Sequence, residues 1–118
     1  MSTIGPPSFE IVVSPRAGGD GVHVAVAGEL DLGTAAEFEA TLLEQLAAGS
    51  VRLDLRGLSF MDSTGIRILD AVLRELPMFG STLLIDPVLQ PAVRQILNLT
   101  GLLDALPFDG AAAADANP

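Results

Sequence analysis

VRLDLRGLSFMDSTGIRILDAVLREL, residues 51–76, changes its hydrophobic period partway along. Val51, Leu53 and Leu55 alternate with Arg52 and Asp54, the period-2 pattern of a strand. Further on, Ile66, Leu69, Leu73 and Leu76 recur at helical spacing as a core stripe, while Arg67, Asp70 and Arg74 form a solvated one. Asp70 precedes Arg74 by four, which adds a modest stabilising pair. Pro77 and Gly80 mark the helix end. The segment RGLSFMDSTG joins the two patterns with no room for a long loop. A strand that runs straight into a helix is half of a βαβ unit, and the flanking sequence supplies the rest.

Upstream, FEIVVS (9–14) places Phe9, Ile11 and Val13 on one face, and VHVAVA (22–27) alternates again through Val22, Val24 and Val26. The turn formers PRAGGDG lie between them, so these read as two antiparallel strands. Gly28-Glu29-Leu30-Asp31 leads to Thr34, which with Glu37 spells a capping box. Ala35, Phe38, Leu42 and Leu46 then predict a helix over about 34–48, stopped at Gly49. Downstream, STLLID (81–86) reads as a short buried strand. Pro91–Leu99 reads as a third helix with Val93, Ile96 and Leu97 inward, followed by a short helical turn near Leu102–Leu106.

Strands alternating with helices require right-handed crossovers and a mostly parallel sheet. The expectation is one α/β domain with a mixed sheet of four or five strands, one antiparallel strand at its edge and helices packed on it. The domain spans residues 9–108. Residues 1–8 read as a flexible N-terminus and 109–118, which carry no core pattern, as a disordered tail.

Composition narrows the function. Fifteen acidic residues oppose six basic ones, all Arg, for a net charge of −9. That balance repels nucleic-acid phosphates and anionic lipid surfaces and favours a protein partner with a basic or mixed face. It serves solubility equally well. The chain has no Cys and no Lys, so thiol chemistry, Schiff bases and P-loop lysines are excluded. A lone His23 offers neither a metal cluster nor an assembled triad. An enzyme is disfavoured, and no metal or cofactor is expected. Met1–Ser8 has neither a basic nor an apolar leader region and no apolar run is long enough to span a bilayer, so the reading is a cytoplasmic protein.

Chemistry concentrates at Asp62-Ser63-Thr64-Gly65. Asp62 suits an N-cap, which puts Ser63 at the first helical position. A hydroxyl there is well placed to carry phosphate, because unpaired amides and the helix dipole favour an anion. Gly65 removes a side chain near the turn, so that another protein could approach the backbone. Taken alone, the tetrapeptide reads more readily as an ordinary capped helix start.

Three segments together resemble the STAS family, and specifically the bacterial anti-sigma factor antagonists. They are Gly28-Glu29-Leu30-Asp31 with Thr34-Ala35; Leu53-Asp54-Leu55 through Leu58-Ser59-Phe60-Met61-Asp62-Ser63-Thr64-Gly65-Ile66; and Pro91-Ala92-Val93-Arg94 with Leu99-Thr100-Gly101-Leu102. They lie in the family's order and spacing, over about residues 9–108. The resemblance implies a non-enzymatic switch. Unphosphorylated, such a protein binds an anti-sigma factor, usually a GHKL-type serine kinase, and frees the sigma factor. The kinase phosphorylates the serine of the turn, here Ser63, and ends the interaction; a metal-dependent serine phosphatase resets it. By the same resemblance Thr64 takes the second hydroxyl position, where it also reads as a plain helix-start residue. Asp31 resembles a family position at the edge of the partner surface, and reads equally as a polar loop residue ahead of the first helix.

The chain departs from the family at Leu76-Pro77-Met78-Phe79-Gly80, where relatives commonly carry charges. Met78 and Phe79 either cover the core or form a small apolar patch, which leaves a monomer and a weak homodimer both open. Two other readings compete. One is a STAS scaffold or accessory subunit of a stress-sensing assembly or lipid-transport ATPase, with no phospho-switch. The other is a small nucleotide-binding domain, for which no glycine-rich phosphate loop is present.

Overall fold

A computed structural model describes residues 9–110. The elements follow in the order β1 (Phe9–Pro15), β2 (Val22–Leu30), α1 (Ala35–Ala48), β3 (Val51–Met61), α2 (Ser63–Phe79), β4 (Leu83–Ile85), α3 (Pro91–Leu99) and α4 (Leu102–Ala105). The sheet runs β1-β2-β3-β4, with β1 antiparallel to β2 and the other pairs parallel. This is the mixed sheet with one antiparallel edge strand that the alternating periods predict. Among the described residues a fifth strand is present only as a single parallel bridge between Ile85 and Phe108.

One connected core lies beneath α1 and α2, which pack on each other. Val24 and Val26 from β2, with Val51, Leu53 and Leu55 from β3, meet Phe38, Leu42 and Leu46 from α1. Val93 and Leu97 bring α3 into the same cluster. β4 covers only the first three residues of β3, and α3 packs beside the remainder, with Gln90 Nε2 donating to the Arg56 carbonyl at 2.9 Å.

Three local expectations change. The capping box at α1 does not form: Thr34 makes no side-chain bond to the helix amides. Its hydroxyl instead accepts from the Asp31 amide at 3.0 Å and donates to the Glu29 carbonyl at 2.9 Å, so it is occupied in holding the β2–α1 turn. The stripe of α2 is rotated by about one residue. Gly65, Ile68, Leu69 and Val72 are buried, whereas Ile66, Leu73 and Leu76 are only partly so. Both sets obey the same helical spacing, and the close seat of Gly65 on the sheet selects between them. Pro77 does not stop α2, which runs on to Phe79 before Gly80 closes it at φ 67°. Phe79 packs against the core, and Met78 is 85% exposed.

Asp109, assigned to the tail, is held in place. Its amide donates to the Ile85 carbonyl at 2.9 Å, and its carboxylate meets Arg52 Nη1 at 2.8 Å. Arg52 also reaches Asp86 at 3.4 Å, so three separated segments converge on one guanidinium. Residues 1–8 and 111–118, the remainder of the two expected terminal segments, lie outside the described residues. No described helix is long and apolar enough to cross a membrane.

Candidate functional site

Parallel strands deliver their following loops to the same end of a sheet, which is where α/β folds place their sites. Here the register pairs Leu30 of β2 with Met61 of β3. The next residues, Asp31 and Asp62, therefore leave the sheet side by side. The Asp62 amide donates to the Leu30 carbonyl at 3.2 Å and fastens the two exits together.

Asp62 is the N-cap of α2. It is extended, at φ −107° and ψ −169°, and its Oδ1 accepts from the Thr64 amide at 2.8 Å. That bond satisfies one of the free donors of the first turn. Ser63 is the first helical residue and is exposed; its hydroxyl makes no hydrogen bond to any described residue. Thr64 is half-buried behind it. The turn thus presents one accessible hydroxyl at a helix N-terminus.

Gly65 is not at this surface. It is buried, and a Cβ built on it would stand 2.6 Å from Met61 Cγ and 2.9 Å from Leu30 Cδ2. The glycine lets α2 start hard against the strand ends, so the close approach it permits is to the protein's own core. Asp31 is half-buried, and its Oδ1 accepts from the Gly33 amide at 3.0 Å, an Asx-type turn that shapes the loop. Asp31 therefore performs the local role read for it while also standing beside Asp62.

Two apolar residues at this end escaped the sequence reading. Leu32 is 77% exposed in the loop after Asp31, and Phe60 is 44% exposed near the end of β3, opposite Glu29. A register shift between Gly28 and Glu29 accompanies the outward placement of Phe60. Period counting cannot anticipate such a shift. Leu32 and Phe60 thus add exposed apolar surface at the end of the sheet from which Asp31 and Asp62 leave it.

A second polar cluster lies on the other side of the sheet. His23 does not stand alone: Nε2 is 3.2 Å from Asp54 Oδ2. Asp54 is buried, and it accepts from Arg56 through the backbone amide at 2.9 Å, Nε at 3.0 Å and Nη2 at 2.8 Å. The Arg56 guanidinium holds the Asp54 carboxyl below the usual carboxylate range, against the opposing effect of burial. Ser14 lies opposite His23 in the β1–β2 register, but no hydrogen bond joins them. Arg56 supplies three donors to Asp54 and His23 stands against the same carboxylate, so the cluster ties β2 to β3 as a structural clasp. Among the described residues no group of three or more His, Asp or Glu side chains could hold a metal ion.

Comparison with known proteins agrees with this fold. The family model described as Mlab, STAS domain, matches residues 13–107. The chain is 33% identical over 85 residues to an anti-sigma F factor antagonist of Lysinibacillus sphaericus, covering 69% of this chain and 71% of that one. It is also 33% identical over 89 residues to an anti-sigma-B factor antagonist of Staphylococcus epidermidis, covering 74% of this chain and 82% of that one. The crystal structure of an anti-sigma factor antagonist from Mycobacterium paratuberculosis superposes with a TM-score of 0.70 at 28% identity, covering 88% of this chain and 87% of that one. These names describe antagonists of regulatory proteins rather than catalysts. By its sequence, its βα-alternating architecture and the turn at the end of β3, the chain belongs to the STAS domain family.

Proposed function

We propose that this chain is an anti-sigma factor antagonist working in the cytoplasm. Unphosphorylated, it binds an anti-sigma factor of the GHKL serine kinase type through Asp31, Asp62, Ser63, Thr64 and the exposed side chains of Leu32 and Phe60. Phosphorylation of Ser63 by that kinase ends the complex, and a metal-dependent serine phosphatase restores it. The names of the relatives support the antagonist role. One observation carries the switch: the Ser63 hydroxyl is exposed, bonded to no described residue and set at the first residue of α2. A kinase can reach it without unfolding anything.

The consequence of phosphorylation follows from charge. Phosphate adds about −1.5 to −2 at neutral pH. It would arrive beside Asp62, with Asp31 one strand away. At the open surface the helix N-terminus offsets part of that repulsion, by about 0.3–1 kcal/mol. Buried against a partner without a waiting Arg cluster, the same charge is costly, so the complex dissociates. Gly65 contributes by setting the turn's position, with no contact of its own.

The test is incubation with the kinase found by pull-down from the native cell, with ATP and Mg²⁺, followed by peptide mass spectrometry. One phosphate on the Ser63 peptide and none on the Ser63→Ala variant is the expected result. Stoichiometric phosphate on Ser63→Ala would move the site to Thr64. A stable complex with no phosphate on either form would favour the scaffold reading.

A further inference from the structure

β1 ends the sheet, and among the described residues its outer edge pairs with nothing. Edge strands normally carry a guard against pairing with another chain: a lysine, an inward charge, a proline within the strand or a bulge. β1, FEIVVSP, has no lysine, no inward charge and no bulge, and its proline stands only at its end. Its seven residues pair with β2 in unbroken register from Phe9–Gly28 to Pro15–Val22, its proline is the last residue, and its only charge is Glu10. Both of its faces are apolar at the centre: Val12 is 49% exposed on the side away from the helices, and Val13 is 40% exposed on the other.

We propose that this edge is a self-association surface, on which a second copy of the chain pairs its own β1 antiparallel about a two-fold axis at Val12. The strand is self-complementary in that register. Val12 meets its own copy, Ile11 meets Val13, Phe9 meets Pro15, and Glu10 meets Ser14. The one charge on the strand therefore faces a hydroxyl rather than a second carboxylate, which matters in a chain of net charge −9. Ile11 and Val13 lie on the helix side in both copies, so the exposed Val13 gains an apolar neighbour. The two sheets become one continuous sheet, an isologous contact that closes on itself and needs no third copy. An interface of one short strand pair falls below the roughly 1,200 Å² of stable complexes, so the dimer is weak and concentration-dependent. The Ser63 turns lie two strands in from the joint, at the ends of the two β3 strands, and remain open. The inference is independent of the phospho-switch.

Sedimentation equilibrium of the full chain, up to about 1 mM, reads the association directly. Val12→Lys and Val12→Glu each place like charges across the axis at a half-exposed position, and circular dichroism verifies that both stay folded. The expected result is reversible dimerisation of the wild type and a tenfold or greater rise in the dissociation constant for each variant alone. An equimolar mixture of the two should recover dimerisation, because Lys then faces Glu. Val88→Lys, an exposed apolar position away from β1, should leave dimerisation unchanged. A wild type monomeric throughout overturns the proposal, as does a dimer indifferent to both Val12 variants. Loss in both without recovery in the mixture refutes the Val12-centred register.

Discussion

Replacing Gly65 with Ala tests whether close packing, rather than access for a partner, explains the glycine in the turn. Two effects oppose each other. Ala favours the helical state over Gly by up to about 1 kcal/mol, and by less in the first turn, where Gly65 is the third residue. Against that, the new methyl would lie 2.6 Å from Met61 Cγ, 2.9 Å from Leu30 Cδ2 and 3.1 Å from Leu30 Cγ. Met61 can yield by changing rotamer. Leu30 is fully buried, and movement of its branch carbon is resisted by the core around it. Overpacking of this kind costs about 1–3 kcal/mol. The balance is a loss of roughly 1–2 kcal/mol, which for a domain of this size lowers the melting temperature by about 4–8 °C per kcal/mol. Thermal and urea melts followed by circular dichroism measure it, with Ser63→Ala, expected to change stability by less than about 0.5 kcal/mol, as the comparison. A Gly65→Ala variant as stable as the wild type would mean that α2 is not seated as tightly on Leu30 and Met61 as these distances require.

The lowered pKa of Asp54 makes a prediction about acid stability. Its folded value lies below its unfolded one, so its contribution is present above the unfolded carboxylate pKa of about 4 and disappears as pH falls through the folded value. Asp54→Asn should flatten that part of the stability–pH curve; a variant whose acid limb overlays the wild type would remove Asp54 from the account. Phosphorylation of free protein should shift backbone amide NMR signals only near Asp62–Ile66 and the Asp31 loop, because a helix N-terminus accommodates the anion locally. Changes reaching α3 or β1 would instead indicate a conformational switch.

Periodicity and turn chemistry determined a good deal by themselves. The switch from period 2 to helical spacing at residues 51–76 implied a βα unit, and its repetition implied a mixed sheet with β1 at the edge. Asp62 as N-cap and Ser63 as the first helical residue were also legible, because capping depends on a few consecutive residues and their backbone. Whatever required distant parts of the chain to meet was not legible. Thr34 and Glu37 spell a capping box, yet the Thr34 hydroxyl is taken by the Glu29 carbonyl and the Asp31 amide, a competition visible only once the loop has its shape. The stripe of α2 allowed two rotations, and the fit of Gly65 against Leu30 and Met61 chose one. The outward turn of Phe60 accompanies a register shift. His23 with Asp54, and Arg52 with Asp86 and Asp109, meet because strand pairing brings separate segments together. Local sequence sets backbone preference and the period of burial; which side chains touch is decided by register and by steric fit in a close-packed core.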